Sequence, residues 1–253
     1  MNSHIQIPKC VFKEFAKDNN GFFKYNIKTK IISRGYPKTT LTEEDYYSEE
    51  MEKTLNKKIE TPLRQLLDFS KEIIAMNTFV PITEDILQIA LTYAKSVIAR
   101  SPNLYDSVIH HSIYFQFTNK QNQHDVTVSY AMRDETLKSF FDKYDISFMI
   151  NQTACPLVLP TRGIYDFRIN KVQCLCVPIN PECAVLFKEK GKHIHIDQES
   201  DSVITVIPNC LESFVMRMNA YAFHRQKGDM NGYVICHQKN ILELLKESQI
   251  EIN

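Results

Sequence analysis

Glu52, Asn56 and Glu60 recur at a spacing of four inside a stretch of helical period. Side chains four apart lie above one another on a helix, so the three form one stripe. Two carboxylates so placed can serve as general acid and base, or hold a divalent cation. The same stripe also reads as a solvated face paired with Lys53, Lys57 and Lys58. His4 carries an imidazole, which exchanges its proton near neutral pH and can act as acid, base or ligand. It reads equally as a surface histidine that pins the terminus. Arg100 precedes Ser101-Pro102 at a junction between two helical patterns. A guanidinium there can grip a phosphate or carboxylate through two parallel hydrogen bonds, or pair internally with Glu52 or Glu60.

Other polar groups have weaker patterns. His193, His195 and Asp197 alternate, and on a strand they would share one face suited to zinc or iron, or to solvent. Cys174 and Cys176 alternate with no paired Cys-x-x-Cys, which reads as buried thiols. Neighbouring His110 and His111 cannot both face one site on a helix. Asn219 and His224 are five apart, roughly 140° around a helix axis, so they face different ways. A histidine at the end of that helix is favoured by the dipole. The chain has no phosphate-cradling Gly-rich loop, no Gly-x-Ser-x-Gly elbow and no His-Glu-x-x-His. P-loop hydrolysis, ordinary serine hydrolysis and zincin proteolysis are disfavoured.

The elements that must position these groups follow from periodicity. Lys9 to Lys30 alternates aromatic and polar residues around Asn19-Asn20-Gly21, and reads as a hairpin or short strands. Arg34 to Asp45 is polar, with Gly35 and Pro37, and reads as a loop. Met51, Leu55, Ile59, Leu63 and Leu66 form an apolar helical stripe over about 46–69. Pro62 predicts a kink or break within it. Thr83 reads as the N-cap of a helix carrying Ile86, Ile89, Ala90, Tyr93 and Val97. Further helices are expected from Ser101-Pro102 through Ile113 and from Asp134 through Phe141. From Ile146 the pattern becomes short β-rich runs: 146–150, 157–159, 172–177, 184–187 and 203–207. A helix over about 211–224, a strand over 232–237 and a helix over 241–247 close the chain. The expectation is an α+β fold. A mainly helical part, about 46–143, would pack on a mixed or antiparallel sheet from a sheet-rich part, about 146–253, in one domain over 1–253.

Composition sets limits. At 253 residues the chain can hide roughly 70–75% of its unfolded surface, enough for a large core without staples. Thirty basic residues balance thirty acidic ones, so no overall charge favours nucleic acid. Seven cysteines, an odd number, point to reduced thiols. The start, Met1-Asn2-Ser3-His4, shows no basic-then-apolar leader, and no run approaches 18 apolar residues. A cytosolic location and no membrane association are therefore expected.

Several landmarks occur in one order along nearly the whole chain. Ser3-His4-Ile5-Gln6-Ile7-Pro8 is followed by Phe12, Phe15 and Phe22-Phe23-Lys24-Tyr25. Tyr46-Tyr47-Ser48-Glu49-Glu50-Met51-Glu52 and Ile59-Glu60 come next, then Arg100-Ser101-Pro102, Pro178-Ile179-Asn180-Pro181, and Asn219 with His224. This order resembles the mostly bacterial family known as domain of unknown function 4238. The resemblance implies a single domain and marks His4, Glu52, Glu60, Arg100 and Asn219. At Thr161-Arg162-Gly163-Ile164 the family usually has a Ser-Asp pair, then Pro after one more residue. Here Thr161 stands for the Ser, Arg162 for the Asp and Ile164 for the Pro, which inverts the local charge. Asp166 is the nearest acid that a shifted turn would offer.

Two functions fit. In the first, His4, Glu52 and Glu60 are catalytic, and Arg100, Thr161, Arg162 and Asn219 bind substrate. Phosphodiester cleavage, with a divalent cation as cofactor and nucleic acid or a nucleotide as partner, suits that set, as in a toxin or phage-defence effector. In the second, the pocket belongs to a non-catalytic ligand-sensing or protein-interaction module, and the changed pair at Thr161-Arg162 favours it. No dedicated metal-ligand set is assigned.

Overall fold

The computed structural model describes residues 2–4, 6–16, 21–76, 81–101, 119–169, 171–192, 204–225 and 232–248. In chain order the strands are β1 (Asn2–His4), β2 (Phe22–Asn26), β3 (Ile32–Gly35), β4 (Thr42–Glu44), β5 (Tyr144–Asn151), β6 (Leu159–Pro160), β7 (Tyr165–Ile169), β8 (Val172–Asn180), β9 (Cys183–Glu189), β10 (Ile204–Ile207) and β11 (Tyr233–Cys236). The helices are α1 (Lys9–Glu14), α2 (Glu49–Leu55), α3 (Thr61–Met76), α4 (Glu84–Ala99), α5 (Lys120–Ala131), α6 (Asp134–Phe141), α7 (Glu212–Arg225) and α8 (Lys239–Glu247). The fold is α+β, with most helix in the first half and most sheet in the second.

The five-stranded sheet runs β10-β5-β9-β8-β7 and is mixed: β10 pairs parallel to β5, and the other pairings are antiparallel. Both faces are buried, so its strands read as apolar runs rather than clean alternations. Phe148, Ile150, Leu175, Val177, Ile179, Val185 and Phe187 point to one core with Leu63 and Leu66 of α3 and Tyr93 and Val97 of α4. Met149, Cys174, Cys176, Ala184 and Leu186 point to a second core with Val215 and Met218 of α7 and Leu242 and Leu245 of α8. One-residue alternation along β5 and β8 thus divides the interior into two cores. A buried hydrogen bond from Asn180 Nδ2 to Ser70 Oγ, 2.9 Å, ties β8 to α3.

Not all of the sheet comes from the second half. A four-stranded sheet, β3-β2-β11-β6, interleaves N- and C-terminal strands, and β1 pairs with β4. Three local expectations need correction. Lys9 to Glu14 is helical, and Val11, Phe12 and Phe15 bury at helical rather than strand spacing. The hairpin joins β2 and β3 beyond Asn26, where Lys30 takes a positive φ of 59° and Asn26 Oδ1 accepts from Thr29 N at 2.8 Å. The polar stretch after Arg34 contains the end of β3 and all of β4, so it is no plain loop. All but Ser101 of the expected helix 101–113, with His110-His111, and the 193–197 alternation lie outside the described residues.

Pro62 breaks nothing. The chain stays helical from Glu49 to Met76, with a π-helical turn over Asn56–Glu60. Proline lacks an N–H and its ring crowds the preceding turn. The helix accommodates this by widening: Thr61 N bonds Asn56 O, five residues back. Such π turns often sit at functional sites.

Candidate functional site

The wide turn at Asn56–Glu60 lies on the wall of a cleft of about 680 Å³, lined by Asp45, Tyr47, Glu49, Glu52, Lys53, Asn56, Glu60 and Gln121. Ser48 starts this wall by capping α2: its Oγ accepts from Met51 N at 3.1 Å, and its own N–H donates to Asp125 Oδ1 at 3.1 Å. Gln121 Nε2 donates to Tyr47 O at 2.8 Å and Asp45 O at 3.1 Å, joining α5 to the rim. Tyr47, Met51, Leu55, Ile59 and Val128 form a small apolar cluster that holds α2 against α5. The predicted stripe of Glu52, Asn56 and Glu60 therefore faces one space.

Arg100 lies behind that wall at the C-cap of α4, only 4% exposed. Its Nη2 is 3.8 Å from Glu60 Oε1, and its guanidinium carbon is 5.8 Å from the Tyr47 ring centre. Burial pushes the Tyr47 hydroxyl up to about 12; Arg100 pulls the other way, and Glu52 and Asp125 add to the rise. Tyr93, on the same helix, is also buried, and burial raises its hydroxyl too, with Cys10 adding to the rise and Arg100 opposing it. Cys10 is raised to about 11, first by burial and then by the Glu60 charge. Glu60, Arg100, Tyr93 and Cys10 thus share one electrostatic neighbourhood.

Among the described residues, Glu52 Oε1, Arg100 Nε and Nη1, and the Tyr93 hydroxyl are buried without a hydrogen-bond partner. Glu49 is different: its bond to Lys53, 2.6 Å, holds its carboxyl below the usual range. Both members of that pair are exposed, so it does little for stability. Counting charges, the lining has four carboxylates against Lys53. It therefore favours hydrogen-bond donors and cations over bare anions. Among the described residues, no group of three or more His, Cys, Asp or Glu is placed to hold a metal ion.

The remaining sequence candidates divide. His4 ends β1, in register with Thr42 of β4, the strand that leads into Asp45 on the cleft rim. Thr161 is buried and exchanges two bonds with Tyr233: its N–H donates to Tyr233 O at 2.9 Å, and its Oγ1 accepts from Tyr233 N at 3.1 Å. Arg162 sits in the turn between β6 and β7, next to Gly163, which packs on Val97 one turn before Arg100. Asn219 is fully buried in the second core: its Oδ1 accepts from Val158 N at 3.0 Å, and its Nδ2 donates to Pro156 O at 2.8 Å. Those bonds fasten the segment before β6, and none of them reaches a cleft residue. The structure unites Glu52, Glu60 and Arg100, and gives Asn219 a framework of its own.

Sequence reasoning passed over Gln121, Asp45, Tyr93 and Cys10. Gln121 and Asp45 enter through contacts spanning more than seventy residues, for which no local signal exists. Tyr93 read as part of an apolar stripe, which it is; only its hydroxyl is out of place there. The Cys174 and Cys176 thiols are buried and pushed up to about 12, mainly by desolvation, which makes them inert rather than nucleophilic.

No family model matches the chain, and neither a curated protein nor a solved structure matches it. Among the described residues, no helix is long and apolar enough to cross a membrane.

Proposed function

We propose that the chain is a cytosolic ligand-recognition module, and that the cleft beside the π-helical turn receives a small polar ligand. One observation carries this reading: a cleft walled by hydrogen-bonding groups has Glu52 Oε1 buried and, among the described residues, without a partner. Buried polar atoms are nearly always satisfied, so one at a cleft wall is explained by a partner that arrives with the ligand. Glu52 and Glu60 would accept hydrogen bonds from the ligand, and Tyr47 would form an apolar side against which it lies. The resemblance to the domain of unknown function 4238 family belongs to this proposal, since Glu52, Glu60 and Arg100 are among its marked residues.

A thermal-shift screen of the full chain against polar metabolites and nucleotides, with and without Mg²⁺ or Mn²⁺, tests it. Stabilisation follows RT ln(1 + [L]/Kd), so a ligand at about a hundred times its Kd adds about 2.7 kcal/mol. The expected hit loses its shift in Glu52→Gln and Glu60→Gln. A shift that persists in both variants places the ligand elsewhere.

Phosphodiester cleavage is the second reading, favoured by the meeting of two carboxylates with Arg100 and by the pairing of His4 with the strand that enters the rim. A divalent cation would have to offset the carboxylates before a nucleic-acid backbone could approach. Incubation with RNA and DNA in the presence of Mg²⁺ or Mn²⁺, using His4→Ala as control, distinguishes this from simple recognition.

A further inference from the structure

The helical wall of the acidic cleft has a second face of opposite character. Met51, Thr54, Leu55, Lys58 and Ile59 recur at helical spacing along α2 and the π-helical turn, so they form one stripe. Opposite them stand Val128 and Ser129 of α5, with Met132 and Arg133 at its C-terminal end. The two rows line a cleft of about 360 Å³, separate from the acidic one. Its floor is apolar: Met51, Leu55, Ile59 and Val128 are at most 9% exposed and belong to the cluster that joins α2 to α5, with Met132 packed against it. Methionine is unbranched and changes shape at low cost, so the two that border this space can adjust to a guest.

The rim is cationic. Lys58 and Arg133 are exposed, and among the described residues the lining has no carboxylate. Neither side chain enters an ion pair among the described residues. The C-terminal end of α5 opposes an anion with about half a charge, against two full charges on the rim. Thr54 and Ser129 add hydroxyls that can donate. A wholly polar anion would leave the floor unfilled, and a hydrocarbon would leave the cations unused. An apolar tail with one oxyanionic head uses both, and a guanidinium fork matches a carboxylate. The volume is at the lower end for small-molecule sites, which suits a single short tail.

We propose that this second cleft binds a medium-chain aliphatic carboxylate, its tail on Met51, Leu55, Ile59 and Val128 and its head between Lys58 and Arg133. The site goes beyond the reading of the acidic cleft, which neither requires it nor falls with it. One helical segment thus carries an acidic face for a donor-rich ligand and a basic, apolar-floored face for an amphiphilic anion.

Hexanoate, octanoate, 1-octanol and octylammonium, each below its aggregation threshold, are titrated into the full chain by calorimetry at fixed ionic strength. The expected result is one-site, saturable binding of octanoate, roughly 10-fold tighter than hexanoate because two more methylenes are buried. Octanoate should also bind more tightly than 1-octanol, and octylammonium should not bind. Lys58→Gln and Arg133→Gln, at exposed positions, should each weaken octanoate about 3-fold and leave 1-octanol unchanged. The double variant should bind octanoate no better than 1-octanol. Ser129→Leu, at an exposed lining position, fills part of the opening and should weaken both ligands. No saturable binding of octanoate, equal binding of octylammonium, or an octanoate affinity untouched by the double variant or by Ser129→Leu overturns the assignment. Sedimentation with phosphatidylglycerol vesicles, without saturable binding of free octanoate, overturns it too and marks a lipid-facing surface instead.

Discussion

Arg100 Nη2 lies 3.8 Å from Glu60 Oε1, and the two partners meet water very differently: the arginine side chain is 1% exposed and the glutamate 28%. The asymmetry decides which loss matters. Without Arg100, Glu60 can be rehydrated. Without Glu60, a buried guanidinium loses its nearest carboxylate, and removing one partner of a buried pair is far more damaging than removing both. Glu60→Gln should therefore destabilise the chain by about 1–3 kcal/mol, below the range for a fully buried pair because the carboxylate is partly solvated. Arg100→Met combined with Glu60→Gln should recover most of that loss. Urea denaturation of the single and double variants measures both. A double variant no more stable than Glu60→Gln would show that the pair is not the source of the cost.

His124 makes the stability sensitive to acid. Its ring stacks on Tyr46 at 3.7 Å between centres and meets Tyr47 edge-on at 6.3 Å, holding α5 against the start of α2. Burial, helped by Lys120 and opposed by Glu43, lowers its pKa from 6.5 to about 4. Below 6.5 the unfolded chain takes a proton at this residue that the folded chain refuses. Stability is thus fully present above pH 6.5 and falls as pH drops toward 4. The contribution at stake is about 2 kcal/mol, after allowing for screening near the surface. His124→Phe keeps a ring for the stack and removes the proton site. Unfolding free energies of both proteins at pH 7 and pH 4.5 should show a smaller decline in the variant, and parallel declines would clear His124 of the effect.

Periodic elements were legible before the fold was seen, and pairings over long distances were not. Thr83 announces α4 because its side chain caps the helix, accepting from Ile86 N at 3.4 Å. The stripe through Met51, Leu55 and Ile59 announces α2, since each of these is buried on one side. Glu52, Asn56 and Glu60 could be placed together on that basis, and they do line one cleft. At Pro62 the break, one of the two expected outcomes, does not occur, because a proline's demand can be met by a wider turn, and only the neighbouring packing selects between them. β4 was hidden in a polar stretch because it is three residues long and its partner β1 lies some forty residues earlier. α5 carries so little amphipathic pattern that Gln121, one of the cleft's anchors, could not be foreseen.

Gly163 couples the turn after β6 to the helix that carries Arg100. Its φ is +66°, and a Cβ built there would stand 2.7 Å from Val97 Cγ1, 3.2 Å from Cγ2 and 3.4 Å from Ile7 Cγ1. Two separate penalties follow for Gly163→Ala. The left-handed backbone costs roughly 1–2 kcal/mol for a residue with a Cβ, and the methyl also collides with a buried valine whose rotamer is stiff. Val97→Ala would make room for the methyl at the expense of a small cavity. It can relieve the collision but not the backbone strain. The double variant should therefore be more stable than the sum of the two singles predicts, by about 1 kcal/mol, yet remain below Val97→Ala alone. Chemical denaturation of the four proteins closes the cycle. Additive losses would mean that Gly163 is required for its backbone conformation alone; a positive coupling means that the turn bears directly on α4, one helical turn before Arg100.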